Sequence, residues 1–423
     1  MTYSRAKEEV WLDTFGTELV DYEERINMDR LRKERVEKAR AQLKRYGLGA
    51  ILTFRGDNIK YITGTRIHAF MAYLSLGMRY ALLTKDGEKP IFYEHGDMDI
   101  QVRRHCPWLN VKYAIHVGFY LRNAIGDPAT DRQLEKLAKQ IKGDLKAEGV
   151  LDEPLGIDVY DPHLFEIFRR NGVEVKYAAQ AMIDARECKT RDEIACIRIA
   201  CAIADAAFAK IKEHIRPGVR ERDLVPIIAE VCIKNGGEFL GDAVVCSGPN
   251  TWPNYRTYTD RMMRPGDIVY VDTYGITWGG YHTCQYRTFS IGEPKKETRE
   301  AYQMIRDWLY DALKAVRPGN TTKDVAERFP SYEVWGRCDE DHAAGNAWAH
   351  GLGLSSYEPP IICRAWSLDY PMPLKEGQVF AIETQVGDGK GQGVRLENVV
   401  LVTETGYEVL NRYPDEDIIV CPI

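Results

Sequence analysis

Val271-Asp272-Thr273-Tyr274-Gly275 places one carboxylate inside an apolar, β-branched run over 268–274. A bare buried carboxylate is costly, so Asp272 must be paired, hydrogen-bonded or metal-bound. Three distant segments carry groups able to join it: His350 in His350-Gly351-Leu352-Gly353, Glu383 in Phe380-Ala381-Ile382-Glu383-Thr384, and Glu397 in Gly393-Val394-Arg395-Leu396-Glu397-Asn398. Carboxylates with an imidazole suit divalent ions such as Zn, Fe or Mn. Without a metal, Asp272, Glu383 and Glu397 in one pocket raise one another's pKa unless another cation joins them. Arg395, protonated His350 or the substrate could be that cation. A second β-like run, 281–291, follows Gly279-Gly280, and two glycines between two such runs predict a hairpin.

The ordered set Asp272, Arg287-Thr288-Phe289, His350, Glu383 and Glu397 resembles the creatinase/aminopeptidase family, whose fold is called pita-bread. The resemblance covers the second half of the chain closely and the first half by general pattern. It implies an enzyme in which two Asp, one His and two Glu hold two metal ions, and Asp272, His350, Glu383 and Glu397 match four of these five positions. The fifth, three residues before Arg287, is Cys284. Cys284 either joins the metal set as a thiolate, favouring zinc or iron, or is a small buried filler. Creatinase works without metal on a guanidinium-bearing substrate, so metal-free catalysis stays open as well.

Local patterns resemble the dimethylsulfoniopropionate lyase branch: Lys234-Asn235-Gly236-Gly237-Glu238, Ser247-Gly248-Pro249-Asn250-Thr251, Leu396-Glu397 and Gly406-Tyr407-Glu408. Two departures, Tyr274 in place of an aspartate and Ser356 in place of a base, argue against transferring that reaction. Against ordinary peptidases, tyrosine stands at both histidine places, Tyr255 and Tyr357. Histidine is the usual proton shuttle near neutral pH. The expectation is therefore a small-molecule lyase or hydrolase acting on a small polar or cationic substrate, with an atypical or absent metal centre. The alternative is a metal-dependent Xaa-Pro peptidase or dipeptidase. A third reading is a non-enzymatic binding protein.

His350, Glu383, Glu397 and Asp272 are the expected catalytic residues, and with Cys284 the expected metal ligands. Trp252, Tyr255, Tyr274, Tyr286 and Tyr357 offer aromatic faces for a cationic substrate, although core packing is the ordinary fate of any one ring. Arg395, on one strand face with Glu397 by period two, either orients Glu397 or binds a substrate carboxylate. Arg287 is expected to pair with an acid. Glu358-Pro359 is expected to orient His350 or simply to turn the chain, and His282 has no assigned role.

These groups need a scaffold. The 423 residues exceed what one core usually serves, so two domains are expected. Helical spacing over 28–46, 132–148 and 162–170 alternates with strand-like runs at 49–54, 79–84, 90–93, 111–115 and 155–159, which predicts an α/β domain. The segment 67–73 reads as core or interface, and residues before about 29 as an arm. Thr190, with Glu193 three residues on, predicts the N-terminus of a long helix, and the boundary is placed after 184. The resemblance then implies an α+β pita-bread catalytic domain over 185–423. An internal repeat supports two facing halves: Arg216-Pro217-Gly218 and Arg317-Pro318-Gly319 each follow a helical pattern, with Asp223 and Asp324 at the same offset beyond.

A net charge of −6 gives no reason to expect nucleic acid. No apolar run reaches membrane length and the first residues do not read as a signal peptide. Ten scattered cysteines without Cys-x-x-Cys read as reduced thiols of a cytoplasmic protein. The resemblance implies a homodimer acting on a small-molecule substrate.

Overall fold

The computed structural model describes residues 26–66, 78–117, 125–239 and 242–423. The expected arm before residue 26 and the segment 67–73 lie outside these. The chain divides into two compact units, one ending at Arg186 and the other running Glu187–Ile423.

The first unit is an α/β layer. Strands β1 (Ala50–Thr53), β2 (Tyr80–Thr84), β3 (Ile91–Glu94), β4 (Asn110–Tyr113), β5 (Leu155–Ile157) and β6 (Val175–Tyr177) form one sheet in the order β4-β3-β2-β1-β5-β6. β1 runs antiparallel to β2 and parallel to β5. Buried aliphatic residues of the helix Asp127–Ala147 (Leu134, Leu137, Ile141, Leu145) recur at helical spacing and join the core of this sheet. Across the first half, every expected strand and helix is present within a few residues of its predicted ends.

The second unit begins with the helix Arg191–Lys212, where the Thr190 amide donates to Glu193 Oε2 at 2.9 Å. Its strands are β7 (Glu238–Phe239), β8 (Val244–Ser247), β9 (Ile268–Asp272), β10 (Ile276–Trp278), β11 (Tyr281–His282), β12 (Tyr286–Ile291), β13 (Ala347–Gly351), β14 (Glu358–Ile362), β15 (Val379–Gly387), β16 (Gly393–Val402), β17 (Tyr407–Val409) and β18 (Ile419–Cys421). They form three sheets, ordered β18-β12-β9-β8, β14-β13-β15-β16-β17 and β11-β10-β7.

The expected hairpin is more elaborate than two strands. Gly279 and Gly280, at φ 57° and 81°, turn the short pair β10–β11, since glycine takes left-handed φ without a Cβ clash. The chain then leaves that sheet over Thr283-Cys284-Gln285 and re-enters the neighbouring one as β12, antiparallel to β9. The interruption is what frees Cys284 from either ladder.

The repeat is visible in the backbone. Gly218 and Gly319 hold φ of 89° and 92°. Beyond each, an aspartate closes a capping turn: Asp223 Oδ2 accepts from the Arg220 amide at 2.9 Å, and Asp324 Oδ2 from the Thr321 amide at 2.7 Å. The halves meet where β12 packs on β16. There Thr288 Oγ1 donates to the Arg395 carbonyl at 2.6 Å and accepts from the Arg395 amide at 3.0 Å.

Candidate metal centre

Strand register gathers the chemistry. Glu383 of β15 stands directly opposite Glu397 of β16 and opposite Trp348 of β13, and Gln385 stands opposite Arg395. Side chains alternate along a strand, so His350, two residues beyond Trp348, shares this face. From the other half, Asp272 at the end of β9 pairs with Tyr286 of β12. Two carboxylates directly opposite in an antiparallel ladder repel unless a cation intervenes.

One cation is present. Arg395 donates from Nε to Glu383 Oε2 at 2.9 Å, with Nη2 closing on the same oxygen, and Nη1 reaches Gln385 Oε1 at 3.1 Å. Its guanidinium lies 4.0 Å from the centroid of the Tyr286 ring. Glu397 is less provided for. It is fully buried, and neither carboxylate oxygen accepts a well-formed hydrogen bond from any described residue. Burial, then Glu383, pushes its pKa well above the ordinary carboxylate range, and Arg395 only partly opposes this. Asp272 is raised for the same reasons, by burial first and then by Glu397 and Glu383. Its Oδ1 accepts from the Tyr274 amide at 3.0 Å and from the Cys284 thiol at 3.6 Å. Burial, followed by the Asp272 charge, holds the thiol of Cys284 well above its usual pKa.

His350 is locked in one tautomer. Its Nδ1 lies 2.6 Å from the Ser356 carbonyl, which can only accept, so Nδ1 carries the hydrogen. Burial lowers the His350 pKa, against the pull of Glu383, and favours the neutral ring. Nε2 is then a lone pair, and it faces Glu397 Oε1 at 3.5 Å. A lone pair against a carboxylate oxygen is repulsive unless a proton or a metal cation lies between them. Cys284 Sγ, His350 Nε2 or Nδ1 and a Glu397 oxygen all lie within 4.8 Å of one another, and all three residues are buried. The orphaned carboxylate, the free imidazole nitrogen and the thiol therefore fit a bound divalent ion.

The loop that carries the Ser356 carbonyl is fastened from below. Glu358 pairs with Lys189 at 3.0 Å, both side chains 1% exposed, and accepts from the Ser355 amide at 3.1 Å. A side chain on Gly353 would collide with the Glu358 carboxylate, and one on Gly351 with the Glu358 carbonyl. Close approach to Glu358 is thus what the glycines of His350-Gly351-Leu352-Gly353 permit.

Of the other expected site residues, Tyr286 is buried and stands opposite Asp272 in the β9–β12 ladder. Tyr274 is half-buried and packs beside Tyr270 and Tyr286. Tyr357 is exposed, with its ring 4.8 Å from His350 and stacked 5.8 Å from Trp348. Trp252 packs against the second-half core, and Tyr255 is exposed. Arg395 faces Glu383 rather than open solvent. Arg287 takes no acid partner among the described residues, contrary to expectation. It donates instead to the carbonyls of Tyr413, Pro414, Tyr286 and Glu397 and to Asn398 Oδ1. That bracing fixes the backbone of Glu397 without spending a carboxylate.

Two residues near the site, Trp348 and Gln385, escaped the sequence reading, and a third, His282, was named there without a role. Trp348 and Gln385 lie two positions from His350 and Glu383, so strand period alone places them on the site face. His282 donates its amide to the Gly353 carbonyl at 2.8 Å and meets Ser356 Oγ through Nδ1 at 3.0 Å. No spacing in the sequence signals that contact.

Comparison with known proteins follows this geometry. The chain matches metallopeptidase family M24 over residues 195–404 and the creatinase/prolidase N-terminal domain over 35–149. It is 34% identical over 260 residues to the probable dipeptidase PepE of Mycobacterium tuberculosis, covering 61% of this chain and 67% of that protein. It is 32% identical over 266 residues to an Xaa-Pro dipeptidase of Pyrococcus furiosus, covering 62% of this chain and 74% of that one. Among solved structures, an Xaa-Pro dipeptidase from Bacillus anthracis aligns with a TM-score of 0.71 at 22% identity, over 92% of this chain and 99% of that one. Dipeptidase PepE from Mycobacterium ulcerans aligns with a TM-score of 0.70 at 22% identity, over 94% and 100%. These structures share the fold: a creatinase-type N-terminal domain followed by a pita-bread domain.

The dipeptidase relatives overturn the expectation of a creatinase- or dimethylsulfoniopropionate-lyase-type enzyme acting on a small polar or cationic substrate. Identity sustained over 260 residues or more outweighs the short loop patterns that suggested a lyase. No described helix is long and apolar enough to cross a membrane. The chain belongs to metallopeptidase family M24.

Proposed function

We propose that the chain is a metal-assisted peptidase cleaving small peptides, with dipeptides ending in proline as the preferred class. The carrying observation is the unpartnered Glu397 carboxylate beside the His350 lone pair and the Cys284 thiol, in a chain similar to named dipeptidases. A divalent ion held by Cys284, His350 and Glu397 would polarise the scissile carbonyl and lower the pKa of a bound water. Arg395 and Gln385 keep Glu383 in place beside it. Trp348 and Tyr357, stacked, offer an apolar wall suited to a pyrrolidine ring. Burial and the neighbouring acidic groups push the Tyr357 hydroxyl up to about 12, so at neutral pH it stays protonated and can donate a hydrogen bond to the substrate. The net reaction adds water across the peptide C–N bond, giving a free carboxylate and a free imino group.

The test is hydrolysis of Ala-Pro and Leu-Pro against Ala-Ala by protein stripped with a chelator and reloaded with zinc, cobalt, iron or manganese. Faster release from the proline dipeptides in a reloaded form supports the reading. Failure of every reloaded form to cleave any of the three overturns it.

A further inference from the structure

We propose that this centre holds a single, sulfur-tolerant metal ion per chain, bound by Cys284, His350 and Glu397. Arg395 then supplies the charge beside Glu383 that a second ion would otherwise provide. The inference rests on the reading that a metal is bound, and adds its number and kind.

Geometry carries the count. The separation of His350 Nε2 from Glu397 Oε1, 3.5 Å, is longer than a normal N–H···O bond. It matches two ligands that each lie about 2.1 Å from one tetrahedral ion, which stand about 3.4 Å apart. Cys284 Sγ completes a buried triangle with them. Three protein ligands leave a fourth position for water or substrate, as in mononuclear catalytic zinc sites. The two acids that would hold a second ion are already engaged. Glu383 Oε2 is held by Arg395, and Asp272 Oδ1 by the Tyr274 amide.

Chemistry carries the kind. Binding would replace the Cys284 S–H bond by a metal–sulfur bond and release the proton to solvent. A dipositive ion, one thiolate and one carboxylate then sum to zero beside a neutral imidazole. Thiolate ligation favours zinc, iron or cobalt over manganese and magnesium.

The experiment titrates chelator-stripped full-length protein with cobalt(II), reading bound equivalents and the near-ultraviolet thiolate-to-cobalt charge-transfer band. One equivalent with the band is expected. The band should survive Cys338→Ser, which removes the exposed thiol beside His342, and vanish in Cys284→Ser. Cys284→Asp should lose the band as well. Two equivalents in the wild type, a cobalt form without the band, or no binding each overturn the proposal. Should the Cys284 variants fail to fold, zinc protection of the wild-type Cys284 thiol against alkylation, located by peptide mapping, decides instead: protection supports the proposal and its absence overturns it. One thiolate-bound cobalt without dipeptide cleavage would uphold this centre and remove the peptidase reading. Cleavage with two ions and no band would do the reverse.

Discussion

Arg395 of β16 grips Glu383 of β15 with Nε 2.9 Å from Oε2, and neither side chain is more than 5% exposed. Removing one partner of a buried pair strands the other, at a cost of about 3–5 kcal/mol. Arg395→Met in metal-free protein is therefore expected to lower the stability of the second unit by that order, read as a fall in its urea midpoint. Adding Glu383→Gln should restore part of the loss, because the stranded charge is gone. Urea unfolding followed by near-ultraviolet circular dichroism checks both. Equal midpoints for wild type and Arg395→Met would show that the pair contributes nothing.

Tyr357 separates a packing role from a chemical one. Tyr357→Phe keeps the ring that lies 4.8 Å from His350 and loses only the hydroxyl. If that hydroxyl donates to the developing oxyanion, kcat should fall about 100-fold with KM nearly unchanged. Steady-state kinetics on a proline dipeptide reads the split. A rise in KM alone would assign the residue to binding.

The first unit carries its own pH response. Asp158 is fully buried and accepts from the Phe54 amide at 2.8 Å, the Arg55 amide at 3.2 Å and Asn58 Nδ2 at 2.8 Å. Burial outweighs those bonds and pushes its pKa up to about 6. An unfolded aspartate titrates near about 4. Between those values the native state holds a proton that the unfolded state has released, so its stabilising contribution is present below about 4 and lost as pH rises through about 6. A shift of about two units corresponds to about 3 kcal/mol. The stability of Asp158→Asn relative to wild type should therefore rise by up to that amount between pH 4 and 7. A flat difference, measured by urea unfolding across that range, would show that Asp158 titrates alike in the native and unfolded states.

The sequence made the scaffold legible because its signals are local. The alternation of helix and strand, the Thr190–Glu193 cap and the doubled Arg-Pro-Gly turn depend on residues a few positions apart. The convergence of His350, Glu397 and Cys284 was legible only through an ordered motif, since their spacing along the chain says nothing about distance. Cross-strand register was not legible at all. Period two puts Arg395 and Glu397 on one face, but only the β15–β16 ladder shows that Arg395 reaches Glu383. Arg287 was misjudged for a related reason: a buried arginine can be satisfied by carbonyls, and all of these but that of Tyr286 come from residues more than a hundred positions away. The functional expectation failed where short local patterns and the tyrosines Tyr255 and Tyr357 were weighed above the peptidase reading of the same ordered motif.

The centre joins segments that leave the ribosome far apart in time. Cys284 and Asp272 emerge well before β16 brings Glu397, and Arg287 finds its acceptors only when Tyr413 and Pro414 follow. Domains fold progressively during synthesis, so the early thiol and carboxylate spend that interval in water, ionised according to their ordinary values. Cys284 is therefore open to oxidants until the last strands close over it.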